Sequence, residues 1–198
     1  TDNTIVVFLS DNGGAKNNGS INLPLRAQKG SLYDGGIRVP FAMCWPAKIP
    51  AGKDYDQPIS SLDIFATTVA HAGLEKQLVN PLDGVDLIPY LSGQKKGSPH
   101  DYLFWRKSGN RAKAVRAIDH KLVQDGTEDW TLFQVTEDIG EQNDLSAQQK
   151  RKVKSLNRKY ENWTRQLMGP IFMGLLENKA YDQLHPDRFK RPKSNGTD

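Results

Sequence analysis

The chain has 198 residues, 37% of them hydrophobic and 25% charged, with a formal net charge of +4. That balance fits a folded protein with one large domain or two smaller ones, and excludes a disordered or membrane-spanning chain. A single cysteine excludes an internal disulfide framework. The positive charge is compatible with an anionic glycan or with nucleic acid. No RNA-type aromatic motif or basic arm accompanies it, which argues against nucleic acid.

The opening Thr1-Asp2-Asn3-Thr4 lacks the charged and apolar regions of a secretory signal. A strand follows almost at once, so the chain is expected to begin inside a domain, as a fragment. Ile5 to Leu9 is a short apolar run without alternation, which predicts a strand buried on both faces of a largely parallel sheet. It stops at Ser10-Asp11-Asn12-Gly13-Gly14. In open α/β sheets ligands bind just beyond the carboxyl ends of strands, which places Asp11 and Asn12 at an active edge. A carboxylate beside an amide oxygen is a pair of hard donors suited to Ca²⁺ or Mg²⁺. The same four residues are also ordinary turn chemistry. After a polar loop come Lys29-Gly30, Tyr33-Asp34-Gly35-Gly36-Ile37-Arg38-Val39-Pro40 and a second strand, Phe41 to Trp45.

Leu62, Phe65, Ala66, Val69 and Ala70 have helical spacing, with serines before them and Gly73 as a stop. Leu82 to Gly93 reads as a turn, a short helix and an exit loop. Gln94 to Pro99 is a basic linker bearing Gly and Pro, and a candidate boundary. Four short strands follow, Tyr102–Arg106, Ala114–Ile118, Lys121–Gln124 and Thr131–Val135, separated by turn-formers and read as an antiparallel meander. Ser146 to Leu167 is a helix with Val153, Leu156, Tyr160, Trp163 and Leu167 on one face. Its basic residues, Lys150 to Lys159, read as a solvated face. After Pro170 no periodicity is evident, and the chain contains no internal repeat.

The combination S-D-N-G, lysine, then D-G-G-I-R-V-P resembles the sulfatase family of the alkaline phosphatase superfamily. Members show a strand ending in S-D-N/H-G, a lysine and E-G-G-x-R-V-P. Ser60 to Gly73 resembles the family helix S-x-x-D-x-x-P-T-x-x-x-x-A-G, with Ala66 in place of proline. Leu82 to Gly93 resembles L-D-G-x-D-L-x-P-x-L-x-G, Val115 to Val123 resembles V-R-x-x-x-x-K-L-I, and Leu132 to Leu145 resembles L-F-D-L-x-x-D-P-x-E-x-x-N-L. The resemblance implies an α/β fold: the end of a largely parallel sheet sandwiched by helices, then a small subdomain with a four-stranded antiparallel sheet and a packed helix. The implied divisions are 1–97 for part of the catalytic domain, 98–169 for the subdomain and 170–198 for an irregular tail.

The resemblance also implies roles. Asp11 and Asn12 would supply two ligands of a divalent metal, usually Ca²⁺, and Lys29 would contact a sulfate oxygen. Two oxygens do not fill a Ca²⁺ shell of roughly six to eight. The family draws the others, and its formylglycine nucleophile, from an N-terminal half that this chain lacks. Asn17 and Asn18 lie between the metal pair and Lys29, in position to line the pocket entrance. Asp34 replaces the family's Glu and is read, with Gly35, Gly36 and Arg38, as structural. Cys44-Trp45-Pro46-Ala47-Lys48 imitates the formylglycine motif C/S-x-P-x-R, but Lys replaces Arg and the segment lies downstream of the metal pair. Cys44 is therefore expected to be a buried strand residue. His71, His100, His120 and His185 match none of the family's catalytic histidines.

The expected function is sulfuric ester hydrolysis, on a sulfated carbohydrate, with the missing N-terminal half as the necessary partner and the isolated chain inactive. The alternatives are a phosphodiesterase or phosphonate hydrolase of the same superfamily, or a noncatalytic remnant that binds anionic glycan. The resemblance implies a periplasmic, secreted or lysosomal setting. Asn18, Asn162 and Asn195 head N-x-S/T patterns that matter only in a glycosylating host.

Overall fold

A computed structural model describes residues 2–107, 112–126 and 128–168. The irregular tail expected over 170–198, with His185 and Asn195, lies outside the described residues. The architecture is mixed α/β, with the expected antiparallel four-stranded sheet and C-terminal helix.

Strand β1 (Val6–Leu9) pairs with β2 (Phe41–Cys44) in the register Val6 to Cys44 and Leu9 to Phe41. The pair is antiparallel, and no parallel pair occurs among the described residues. Burial alternates along both strands. One face turns Val6 and Phe8 outward, 59% and 67% exposed, so the strand is not buried on both sides. An apolar run carries no alternation to betray which face is open, and that is why it read as fully buried. Cys44 shares the outer face with Ala42 and is exposed, contrary to expectation.

Between β1 and β2 lies helix α1 (Asp34–Ile37), a single turn. Helix α2 (Leu62–Ala72) ends as the sequence predicts, at Gly73 with φ 71°, whose N–H bonds to the Val69 carbonyl. This left-handed cap is open to glycine without a steric cost. Helix α3 (Ile88–Leu91) follows. Strands β3 (Leu103–Arg106), β4 (Ala112–Arg116), β5 (Lys121–Asp125) and β6 (Thr131–Phe133) form a meander in that order. Helix α4 (Lys150–Thr164) completes the described chain, and its basic residues Lys150, Arg151, Lys154, Arg158 and Lys159 are exposed.

Strand side chains point alternately to opposite faces, so the sheet has two cores. On one face Val115, Leu122 and Leu132 pack against Leu156 and Tyr160 of α4. Phe104 stacks on Trp163 with ring centroids 5.0 Å apart, and Tyr160 lies between Trp130 and Trp163. On the other face Ala112, Ala114, Val123, Phe133 and Val135 pack against Leu32 and Tyr33. The second face therefore backs directly onto the glycine-bearing segment that precedes β2.

Candidate functional site

Three pieces of backbone meet at the end of β1. Ser10 Oγ donates to the Asn12 carbonyl at 2.9 Å and shapes the turn. The Gly13 N–H donates to the Gly36 carbonyl at 3.1 Å, and the Lys29 N–H to the Gly14 carbonyl at 3.1 Å. Asn22 closes the loop between them. Its Oδ1 accepts from Gly14 N–H at 2.8 Å, while Nδ2 donates to the carbonyls of Gly14 and Ala27. Thus the Asp11–Gly14 turn, the Lys29 stretch and the Asp34–Gly36 turn form one hydrogen-bonded unit.

Glycine is required where backbone meets backbone. A Cβ on Gly13 would lie 1.8 Å from the Gly35 carbonyl oxygen, and one on Gly35 would lie 2.3 Å from that of Arg26. No side chain fits either gap.

Asp11 is exposed and Asn12 half-buried, at the strand end where the sequence placed them. Their oxygens are the donor type Ca²⁺ takes. Among the described residues no group of three or more His, Cys, Asp or Glu converges to hold a metal. The two donors fit part of a cation shell and not a whole one. Lys29 is exposed within the same unit. Asn17 and Asn18 lie on the 3₁₀ turn Lys16–Asn18, and Asn18 Oδ1 accepts from the N–H and Oγ of Ser20. That engages Asn18 with its own loop. An open cleft of about 540 Å³ adjoins the unit, lined by Asn22, Leu23, Arg26, Gln28, Glu141 and Gln142 among others.

Behind the unit lies a charged cluster that the sequence reading did not single out as a site. Lys121 Nζ donates to Asp34 Oδ1 at 2.5 Å and lies 2.8 Å from Glu141 Oε1. Glu141 Oε2 accepts the Asp34 N–H at 2.6 Å. Lys121 and Glu141 are 0% exposed and Asp34 is 3% exposed. Arg116 Nη1 stands 3.5 Å from Asp34 Oδ2. Arg26 lies with Cζ 3.9 Å from the Tyr33 ring centroid and donates Nη1 to the Glu141 carbonyl at 2.7 Å.

Burial pushes the Glu141 carboxyl up, against the pull of Lys121. Burial likewise lowers Arg116, which Asp34 partly offsets. One sequence signal could have found the cluster. In β5 the side chain of Lys121 shares a face with Val123, so a lysine occupies a core position and must have an anionic partner.

Comparison with known proteins places this geometry in context. Residues 1–74 match the family model described as Sulfatase. The uncharacterized sulfatase YdeN of Escherichia coli (strain K12) is 36% identical over 149 residues, covering 71% of this chain and 26% of that protein. N-acetylgalactosamine-6-sulfatase of Canis lupus familiaris is 39% identical over 107 residues, covering 52% of this chain and 20% of that protein. The crystal structure of Ps i-CgsB in complex with k-i-k-neocarrahexaose superposes with a TM-score of 0.79 at 33% identity, over 96% of this chain and 42% of that one. The chain thus spans about a quarter of the curated relatives it matches, in their C-terminal portion.

Proposed function

Because the chain belongs to the sulfatase family, we propose that it is the C-terminal portion of a sulfate ester hydrolase. Asp11 and Asn12 supply two oxygen ligands for a divalent cation, Ca²⁺ by family habit, and Lys29 binds a sulfate oxygen. The nucleophile, a formylglycine, and the remaining cation ligands come from outside this chain. A cation held there offsets the charge that attack at sulfur builds on the equatorial and leaving oxygens.

The chain's own residues orient and bind. Asp11 and Asn12 present their oxygens from a turn seated on the Gly35–Gly36 backbone. Lys29, tied to Gly14 through its N–H, brings a flexible ammonium to the same edge, where it attracts an anionic ester. The substrate class is a sulfated carbohydrate, which the positive net charge favours. The matched relatives are sulfatases, so the phosphodiesterase or phosphonate hydrolase reading is not favoured.

The observation that carries this reading is the pair of backbone bonds, Lys29 N–H to Gly14 and Gly13 N–H to Gly36, which unite the three motifs in one site. The test is aryl sulfate hydrolysis by the intact protein, with its upstream coding region, before and after chelation. Asp11→Ala and Lys29→Ala should each lower kcat/KM by about a hundredfold or more, and chelation should abolish turnover. Activity unaffected by all three would overturn the assignment. The 198-residue chain alone should not turn over.

A further inference from the structure

We propose that Lys121 and Glu141, with Asp34, are positioning residues for the Asp11–Asn12 oxygens, acting through the glycine turn. The inference rests on the reading of Asp11 and Asn12 as cation ligands.

The linkage can be followed atom by atom. Lys121 Nζ holds Asp34 Oδ1, and Glu141 Oε2 holds the Asp34 N–H, so both ends of Asp34 are fixed from the C-terminal sheet and the turn beyond it. Gly35 and Gly36 follow at once. The Gly35 N–H donates to the Arg26 carbonyl at 2.7 Å, and Gly36 offers its carbonyl to Gly13. Gly13 meets Gly35 so closely that no Cβ fits between them. Movement of Asp34 is therefore passed by backbone contact to the Asp11–Gly14 turn, with no flexible side chain to absorb it.

Two further features show how firmly the far end is anchored. Glu141 is not glycine, yet its φ is +50°, a conformation that costs about 1 kcal/mol or more. Arg26 clamps its carbonyl in that state while lying over Tyr33. In addition, Asp34, Lys121 and Glu141 are all buried, and burying three charges is expensive unless geometry is closely held. An apolar core would have filled the same space. The charges supply what an apolar core does not, a directional hold on one backbone segment.

The experiment measures calcium affinity of the intact protein by titration calorimetry with calcium chloride, alongside kcat, KM and the unfolding midpoint. Lys121→Gln should weaken calcium binding about tenfold or more, the scale seen when a support behind a metal ligand is removed. KM for an aryl sulfate should recover towards the parent value at saturating calcium. Asp34→Asn, nearly isosteric, should behave alike, and the double variant should be no worse than the worse single one, since both act on one linkage. The Asp34→Asn single variant also repeats the test if Lys121→Gln does not fold.

A folded Lys121→Gln or Asp34→Asn protein with a lower unfolding midpoint but parental calcium affinity and KM would overturn the proposal, leaving the cluster a scaffold only. Asp11→Ala separates the two levels. If it leaves calcium binding intact, the ligand reading itself fails. If it abolishes binding while Lys121→Gln does nothing, only the positioning role fails.

Discussion

His100 Nε2 lies 2.8 and 2.9 Å from the two carboxylate oxygens of Asp63, a residue with no exposed surface. Asp63 also accepts the N–H of Ser60 at 2.7 Å and of Val85 at 2.8 Å. One carboxylate thereby ties the start of α2, the segment before α3 and the approach to β3.

Removing that carboxylate strands three donors at once. Asp63→Ala should lower stability by about 3 kcal/mol or more, as expected when one partner of a buried pair is lost. Asp63→Asn keeps one acceptor oxygen and should cost less. Urea unfolding of the two variants gives the comparison, and a shift under about 0.5 kcal/mol for Asp63→Ala would show the network to be idle.

Gly13→Ala should be among the most damaging single-methyl changes in the chain. The added Cβ would stand 1.8 Å from the Gly35 carbonyl oxygen, and backbone cannot rotate away as a side chain can. The expected loss is about 3 kcal/mol, together with calcium affinity in the intact protein. Ala at Gly52, where a Cβ would meet nothing within 4 Å, is the control for space. That control is imperfect only in its backbone, since Gly52 has φ 66°, and its cost should stay near 1 kcal/mol.

Tyr160 is 1% exposed and its ring contacts those of Trp130 and Trp163. Tyr160→Ala should destabilise by about 4 kcal/mol. Tyr160→Phe should cost much less, because the phenol oxygen has no hydrogen-bond partner among the described residues. A large penalty for the Phe variant would reveal a partner for that hydroxyl.

Two carboxylates should tilt the pH dependence of stability in opposite senses. Asp144 is only slightly buried. The Leu132 and Ser146 N–H groups and the Ser146 hydroxyl outweigh that desolvation and hold its pKa below 3.8. Its contribution is present above pH 3.8 and disappears as pH falls through the lower folded value. Asp144→Ala should therefore flatten the acid limb of a stability curve below pH 4. Glu141 is raised above 4.5, chiefly by burial. Its favourable share is complete below pH 4.5 and is lost as pH rises through the folded value, so Glu141→Gln should remove a falling slope above pH 4.5. Chemical denaturation from pH 2 to 7 on the parent and both variants checks the two signs together.

Much of the framework is local, and local patterns carried it. The 3.6-residue spacing of Leu62 to Ala70 with Gly73 beyond it defined α2, and Val153, Leu156, Tyr160 and Trp163 defined the inner face of α4. The four strands after residue 101 appeared with ends shifted by one or two residues. The strand before Asp11 was legible, but its open face was not, because Val6, Val7, Phe8 and Leu9 are all apolar. Cys44 was misjudged for the same reason. Asp11, Asn12 and Lys29 were singled out by motif alone, whereas the backbone bonds between their segments, Gly13 to Gly36 and Lys29 to Gly14, join residues up to 23 apart. Lys121 is 87 residues from Asp34; strand alternation puts the lysine on the face of Val123, but only the fold decides which carboxylate meets it.

The alternation of the meander has one more effect. On β4, residues 112, 114 and 116 face the glycine turn, whereas 115 faces α4, and Lys113 Nζ lies over the Trp130 ring. On β5 the assignment reverses, with 121 and 123 towards the turn and 122 towards α4. Susceptibility of the candidate site to remote substitution should therefore have a parity. A bulkier residue at Ala114 presses on Leu32 and Tyr33 and is felt at the candidate edge. The same enlargement one position on, at Val115, is spent against the aromatic helix and leaves that edge undisturbed.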